Sequence, residues 1–211
     1  METEIEQFKR ALVLNSAEFG VVLQSEQIER LIAYYELLLK WNPKLHLVAP
    51  CSPEEFAVRH ILESLTLLKH LPTNARVADV GTGAGLPIIP CLMVRDDLQG
   101  FLIESSQRKA AFLKEASRPI KPPDRAQSIV ARFEDLSPPN VAFITCRAVD
   151  KFSELLPELV DWAPKNAVYL LFAGESLLEK IRQIFQVSSV ELIPQSEKRF
   201  LVTAHLRESQ S

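Results

Sequence analysis

The sequence predicts an α/β fold, a largely parallel sheet preceded by a helical cap, on three observations. Apolar residues recur at helical spacing in the first 70 residues, short apolar runs alternate with helical segments after Pro72, and a glycine-rich turn follows the first of those runs. Helices between short strands make successive strands parallel, because a parallel crossover needs a connection of helix length.

Taken in order, Ile28, Leu31, Ile32, Tyr35, Leu38 and Leu39 line one face of a helix from Ser25 to Trp41, which Asn42-Pro43 is expected to end. Ser52, Pro53 and Glu55 announce a second helix. Ser caps the free amides, Pro fits the first helical position, and Glu is expected to reach back to the cap, with the helix running to about His70. Strands are expected at Arg76 to Val80, Gly100 to Glu104, Gln127 to Ala131, Val141 to Cys146 and Ala167 to Ala173. Helices are expected over Ser105 to Ser117, Asp150 to Trp162 and Glu175 to Phe185. Val187 to Leu192 and Phe200 to Leu206, with no helix between them, read as a closing hairpin at one edge. Residues 1–71 then form a helical extension packed on a core of residues 72–211.

Of the 211 residues 47% are hydrophobic and 24% charged, the balance of a globular chain. The net charge of -3 advertises neither nucleic acid nor membrane, so an anionic partner must be met locally. The longest apolar runs, Leu86 to Val94 and Ala167 to Ala173, fall far short of the roughly 20 residues that span a bilayer. Met1 to Arg10 is acidic and amphipathic, unlike a secretory signal, and the expected location is the cytoplasm. Cys51, Cys91 and Cys146 form no Cys-x-x-Cys pair, and His46, His60, His70 and His205 are scattered. Neither a disulfide framework nor a metal site is expected.

The most informative segment is Asp79-Val80-Gly81-Thr82-Gly83-Ala84-Gly85, placed where the first strand ends and a helix begins. Glycines there let the backbone turn sharply and approach a ligand closely. The spacing is G-x-G-x-G, with Leu86 where a dinucleotide fingerprint has its last glycine, and no Gly-Lys-Ser/Thr follows as in a P-loop. Asp79 repels a pyrophosphate and attracts a cationic amino acid group. Glu104 closes the run Phe101-Leu102-Ile103 where a second strand delivers it beside the turn, and a carboxylate there accepts hydrogen bonds from ribose hydroxyls. An adenosyl ligand with a cationic amino acid moiety is S-adenosylmethionine. The bland alternative is an ordinary tight turn with Glu104 as a helix cap.

The chain also resembles a known family, the RNA methyltransferases first called glucose-inhibited division protein B, which methylate guanine N7 in small-subunit (16S) ribosomal RNA. The resemblance covers most of the chain. It is carried by Lys40-Trp41-Asn42 with Leu47, Arg59-His60-Ile61-Leu62-Glu63-Ser64, Asp79 to Pro87 with Ile89-Pro90, Arg108-Lys109 with Phe112-Leu113, and Arg147-Ala148. It implies the class I SAM-dependent methyltransferase fold, Rossmann-like with a seven-stranded sheet, and a small-subunit RNA or 30S particle as partner. Residue by residue, it implies that Gly81 and Leu86 line the cofactor pocket, that Phe133 and Glu134 sit by the adenine, and that Arg147 faces the methyl group and target. With Asp79, Gly83 and Glu104 these make the cofactor set; Arg147, Arg59 and His60 make the substrate-positioning set, with no general base. Two positions depart from the family pattern. Ile88 replaces a Gly after the loop's Leu-Pro, and Ala173-Gly174 replaces a Lys-Gly.

The chemistry agrees with N7, whose lone pair is already available, so the enzyme mainly orients donor and acceptor. Ser137-Pro138-Pro139-Asn140 lacks the aromatic and the position of an adenine-amine loop. Cytosine C5 chemistry needs a cysteine nucleophile, whereas Cys91 and Cys146 read as small buried hydrophobes. Arg147 either grips guanine O6 or a phosphate, or pairs with an acid such as Glu134; Arg59 and His60 are equally open between a solvated helix face and the pocket rim. From Ser105 to Arg132, Arg108, Lys109, Lys114, Arg118, Lys121, Arg125 and Arg132 stand against Glu115 and Asp124, a local +5 that draws phosphates or is merely solvated. The rival readings are a small-molecule methyltransferase and a non-catalytic binding module that keeps the cofactor fold.

Overall fold

The computed structural model describes residues 2–147 and 152–207. Met1, Ala148, the expected helix start at Asp150, and the end of the core after residue 207 lie outside the described residues.

The helical layer comes first. Helix α1 (Glu4–Asn15) opens with a capping box in which the Thr3 hydroxyl accepts from the Glu6 amide and the Glu6 carboxylate accepts from the Thr3 amide at 2.7 Å. Helix α2 (Ser25–Leu45) runs past Asn42-Pro43, contrary to expectation. Pro43 lies in the last turn, where its missing N–H forfeits one i→i−4 bond, and Asn42 finishes the helix by exchanging two hydrogen bonds with the Val48 backbone at 3.0 and 3.1 Å. His46, at φ 49°, then turns the chain away.

Residues 53–70 form the second expected helical run in four pieces: α3 (Pro53–Phe56), a π-helical stretch (Ala57–Leu62), α4 (Glu63–Leu65) and a 3-10 turn (Thr66–His70). Ser52 caps it, its hydroxyl accepting from the Glu55 amide at 3.1 Å. The Glu55 carboxylate does not reach back to the cap; it pairs with Arg59 one turn on, where a guanidinium offers a charge-assisted bond.

The sheet has the order β3-β2-β1-β4-β5-β7-β6. Strands β1 (Arg76–Val80), β2 (Gln99–Glu104), β3 (Ala126–Val130), β4 (Phe143–Cys146) and β5 (Val168–Gly174) are parallel. The closing hairpin, β6 (Phe185–Leu192) and β7 (Arg199–Leu206), is antiparallel, with β7 inserted between β5 and β6. Helices α5 (Ile88–Val94), α6 (Gln107–Ala116), α7 (Phe152–Trp162) and α8 (Glu175–Ile184) complete the layers. Strand and helix ends fall within two residues of expectation, apart from the end of α2 and the ends that meet undescribed residues.

Alternation along β1 sends Val77 to one face and Ala78 and Val80 to the other. The first face is covered by α5, α6 and the N-terminal helices in one apolar cluster, where Phe112 of α6 receives Tyr34 and Trp41 of α2 at centroid distances of 6.2 and 6.1 Å. The second is covered by α7 and α8.

Ile88, the first departure from the family pattern, is fully buried at the start of α5. It fits because β2 carries Gly100 opposite it. A Cβ at Gly100 would stand 2.9 Å from Leu92 Cδ1 and 3.3 Å from Ile88 Cγ1. Gly100→Ala therefore overpacks this contact and is expected to cost about 1–3 kcal/mol, read as a lowered midpoint in denaturant unfolding.

Candidate functional site

Chain order reverses between β1 and β4, and in an open parallel sheet such a reversal leaves a crevice beyond the strand ends. The glycine turn occupies that crevice. Gly81, Gly83 and Gly85 have φ of 68°, 56° and 82°, values that side chains other than glycine rarely adopt. Space is closed as well at Gly85, where a Cβ would lie 2.3 Å from Ile89 Cδ1. The amides of Gly81 and Thr82 both donate to the Ile103 carbonyl at the end of β2, at 3.0 and 3.1 Å. From α2, the buried Tyr34 hydroxyl donates to the Ala84 carbonyl at 2.7 Å, so the helical layer braces the turn directly.

Glu104 ends β2 with its carboxylate against this backbone, accepting from the Gly83 amide at 3.0 Å and the Ser106 amide at 2.8 Å. It thereby sits at the N-terminus of α6, where a negative charge is stabilised by the helix dipole. Two cavities flank the turn, and Gly81 and Ser105 line both. The smaller, about 450 Å³, is walled largely by apolar side chains including Ile103, Phe133 and Leu159, with Glu134 at its side. The larger, about 830 Å³, is polar and rimmed by Arg59, His60, Glu104, Lys109, Arg147 and Arg199. Each is within the range of small-ligand sites.

Asp79 lines neither. Alternation turns it toward the face that the N-terminal helices cover, and it has no exposed surface. Its Oδ2 accepts from the Thr82 hydroxyl at 2.5 Å, and Oδ1 has no partner among the described residues. Burial pushes its pKa up to about 8, against the lowering effect of the Thr82 hydroxyl, the nearby Ile88 amide and Arg147. The structure thus corrects the expectation that Asp79 faces a ligand across open space: it stands behind the turn and holds its shape.

Arg147 closes β4 and reaches into the helical layer. Its Nη1 donates to Ser64 Oγ at 3.1 Å and the His60 carbonyl at 3.3 Å, its Nη2 to the Arg59 carbonyl and to Glu63 Oε2 at 3.2 Å, and the guanidinium lies 5.2 Å from the Phe172 ring centroid. Its acid is Glu63 instead of Glu134, which pairs with Arg132. Glu63 is 1% exposed, and its other oxygen takes Arg199 of β7 at 2.5 and 2.9 Å. Burial, with Arg147, Arg59 and Arg199 around it, holds His60 down to about 3, so its imidazole is neutral near pH 7.

Of the residues singled out in the sequence, Gly81, Gly83, Leu86, Glu104, Arg59, His60 and Arg147 meet at the larger cavity, and Gly81, Phe133 and Glu134 at the smaller. Sequence reasoning missed three. Glu63 lay within a quoted motif without a role, Tyr34 falls outside the apolar stripe read in that helix, and Arg199 stands beside alternating apolar residues with nothing local to mark it. Among the described residues no group of His, Cys, Asp and Glu converges on a metal position, and the cysteines are unpaired.

Strand order, glycine turn and twin cavities define a Rossmann-like methyltransferase fold. A SAM-dependent methyltransferase from Aquifex aeolicus shares it with a TM-score of 0.52 at 19% identity, over 67% of this chain and 88% of that one. The chain belongs to the GidB family, described as rRNA small subunit methyltransferase G, whose model matches residues 27–207. A relative from Neisseria meningitidis serogroup B, named ribosomal RNA small subunit methyltransferase G, is 34% identical over 88% of this chain and 89% of its own length. One of the same name from Methylobacillus flagellatus is 39% identical over 57% of this chain, a match that spans 58% of that relative.

Glu63→Gln leaves two guanidiniums sharing a neutral amide and is expected to lower stability by about 3 kcal/mol, measured by denaturant unfolding. Asp79 gives a pH test. Its folded pKa of about 8 lies above the ordinary 3.8, so its contribution to stability is complete below pH 3.8 and is lost as pH rises through about 8. The Tm of Asp79→Asn relative to the unaltered chain is expected to rise from about pH 5 to about pH 9; a flat difference contradicts the raised pKa.

Proposed function

We propose that the chain transfers a methyl group from S-adenosylmethionine to guanine N7 of small-subunit ribosomal RNA, and that the ribosomal particle or its RNA is its partner. The observation that carries this is the glycine turn set between an apolar and a polar cavity, with Gly81 and Ser105 lining both and Glu104 lining the polar one. The donor set fits the cofactor. The smaller cavity, with Phe133 and Glu134, suits a flat adenine, and Glu104 offers a carboxylate for ribose hydroxyls. Gly81, Gly83 and Leu86 present main chain and an apolar edge to the remainder, and Asp79 keeps the turn in shape from behind. When bound, the cofactor supplies an electrophilic methyl group on a sulfonium.

The residues of the chain have an orienting task. Guanine N7 carries no proton, so no side chain has to accept one, and the neutral His60 agrees with a site that moves none. The polar cavity receives the base. Arg59, half exposed and paired with Glu55, stands at its rim, while Arg147 fixes the wall of the π-helical stretch and lines the cavity. A base held there is desolvated and confined, which is the main requirement of an in-line displacement. No helix among the described residues is long and apolar enough to cross a membrane.

The decisive test supplies labelled S-adenosylmethionine and small ribosomal subunits from cells lacking the gene, followed by chemical cleavage at N7-methylguanine. A new cleavage position is expected; unlabelled RNA overturns the reading. Glu104→Gln is expected to weaken cofactor binding about tenfold, the loss of one charged hydrogen bond, read by calorimetry.

A further inference from the structure

We propose that the groove between α6 and the edge strand β3 is a second docking surface for the RNA strand, gripping its phosphates while the target base lies in the polar cavity. This rests on the reading of small-subunit RNA as substrate.

The structure sorts the seven bases of the Ser105 to Arg132 run. Arg125 is 6% exposed and spent on the carbonyls of Leu92, Arg95, Leu98 and Lys121. Arg132 pairs with Glu134, Arg108 donates to the Lys44 carbonyl at 3.1 Å, and Lys109 belongs to the polar cavity. The other three, Lys114, Arg118 and Lys121, gather around one groove of about 550 Å³. Arg118 is offset by Glu115 at 3.0 Å, yet its side chain is 70% exposed. Lys114 and Lys121 are exposed and have no carboxylate partner among the described residues.

The groove floor is small and flat, built from Ala110 and Ala111 of α6 and from Ala126, Ser128 and Val130 of β3. As β3 is the last strand on its side of the sheet, its outward amides have no strand partner and add donors to the lysine charges. Phosphate oxygens accept from both, and lysines meet them as point charges without reading sequence. One helix borders both groove and site, for α6 lines the polar cavity with Lys109 and the groove with Gln107, Ala110, Ala111 and Lys114. On a chain of net charge -3, three bases against Glu115 at the groove favour the approach of a polyanion to this side.

The test is the pair Lys114→Gln and Lys121→Gln, against Lys180→Gln on the exposed surface of α8, across the sheet. For the pair, the Kd for small subunits at about 0.1 M salt is expected to rise more than about tenfold and the slope of log K against log salt to flatten by about 1.4. KM for RNA rises with it, while kcat, cofactor Kd and Tm stay unchanged. Unchanged subunit binding in the pair, or an equal loss in Lys180→Gln, overturns the groove. So does a loss seen with intact subunits and absent with protein-free RNA, which assigns the groove to a ribosomal protein. Failure of the unaltered chain to methylate the RNA overturns the functional reading and the groove with it, so the two failures are told apart by that control.

Discussion

The buried carboxylate of Glu63 fastens the helical layer to the far half of the sheet. One oxygen takes Arg147 at the end of β4 and the other takes Arg199 on β7, so one side chain of the helical layer ties down two strands. A buried charge in such a place costs several kcal/mol to desolvate, and two guanidiniums in hydrogen-bond contact offset that cost. The π-helical stretch just before Glu63 belongs to the same arrangement. Its widened turn brings the carbonyls of Arg59 and His60 to the Arg147 guanidinium, and π-helical turns are frequently found at functional sites.

That anchorage gives the N-terminal helices their part in the site. They supply a wall of the polar cavity, they hold the glycine turn through the Tyr34 hydroxyl, and they bury Asp79 so completely that its charged form is disfavoured. The hairpin at the other end of the chain is fastened to the same layer, where Gln195 reaches Asn15 at 2.8 Å and Glu18 at 2.6 Å, and His70 meets Glu191 at 3.0 Å. The layer is thus a working part of the cleft.

Departures from the family pattern are absorbed by neighbours in space. Ile88 fills the room that Gly100 leaves, and the turn keeps three positive-φ glycines. At the second departure, Ala173 and Gly174 of β5 pair with Phe200 and Arg199 of β7, so a guanidinium stands across the strand from Gly174 and lines the same cavity. Charge is redistributed likewise: of one basic run, Arg125 became a structural brace and Arg132 an ion-pair partner, while Lys114 and Lys121 have no carboxylate partner among the described residues.

Features that depend on residues within a turn or two were legible in the chain alone: the strand and helix sequence, the Ser52 cap, the glycine turn, and Glu104 beside it. Their causes are local, in side-chain alternation, capping bonds and the conformational freedom of glycine. Pro43 did not stop its helix because it falls two residues short of the end, where the loss of one N–H is tolerated and Asn42 closes the end on Val48. Folding in three dimensions decided the partners. Arg147 meets Glu63 across 84 positions and Arg199 meets it across 136, and Asp79 is buried by helices that precede it. No periodicity records such contacts, because desolvation and ion pairing depend on what covers a side chain in space, and that is fixed only when the layers close.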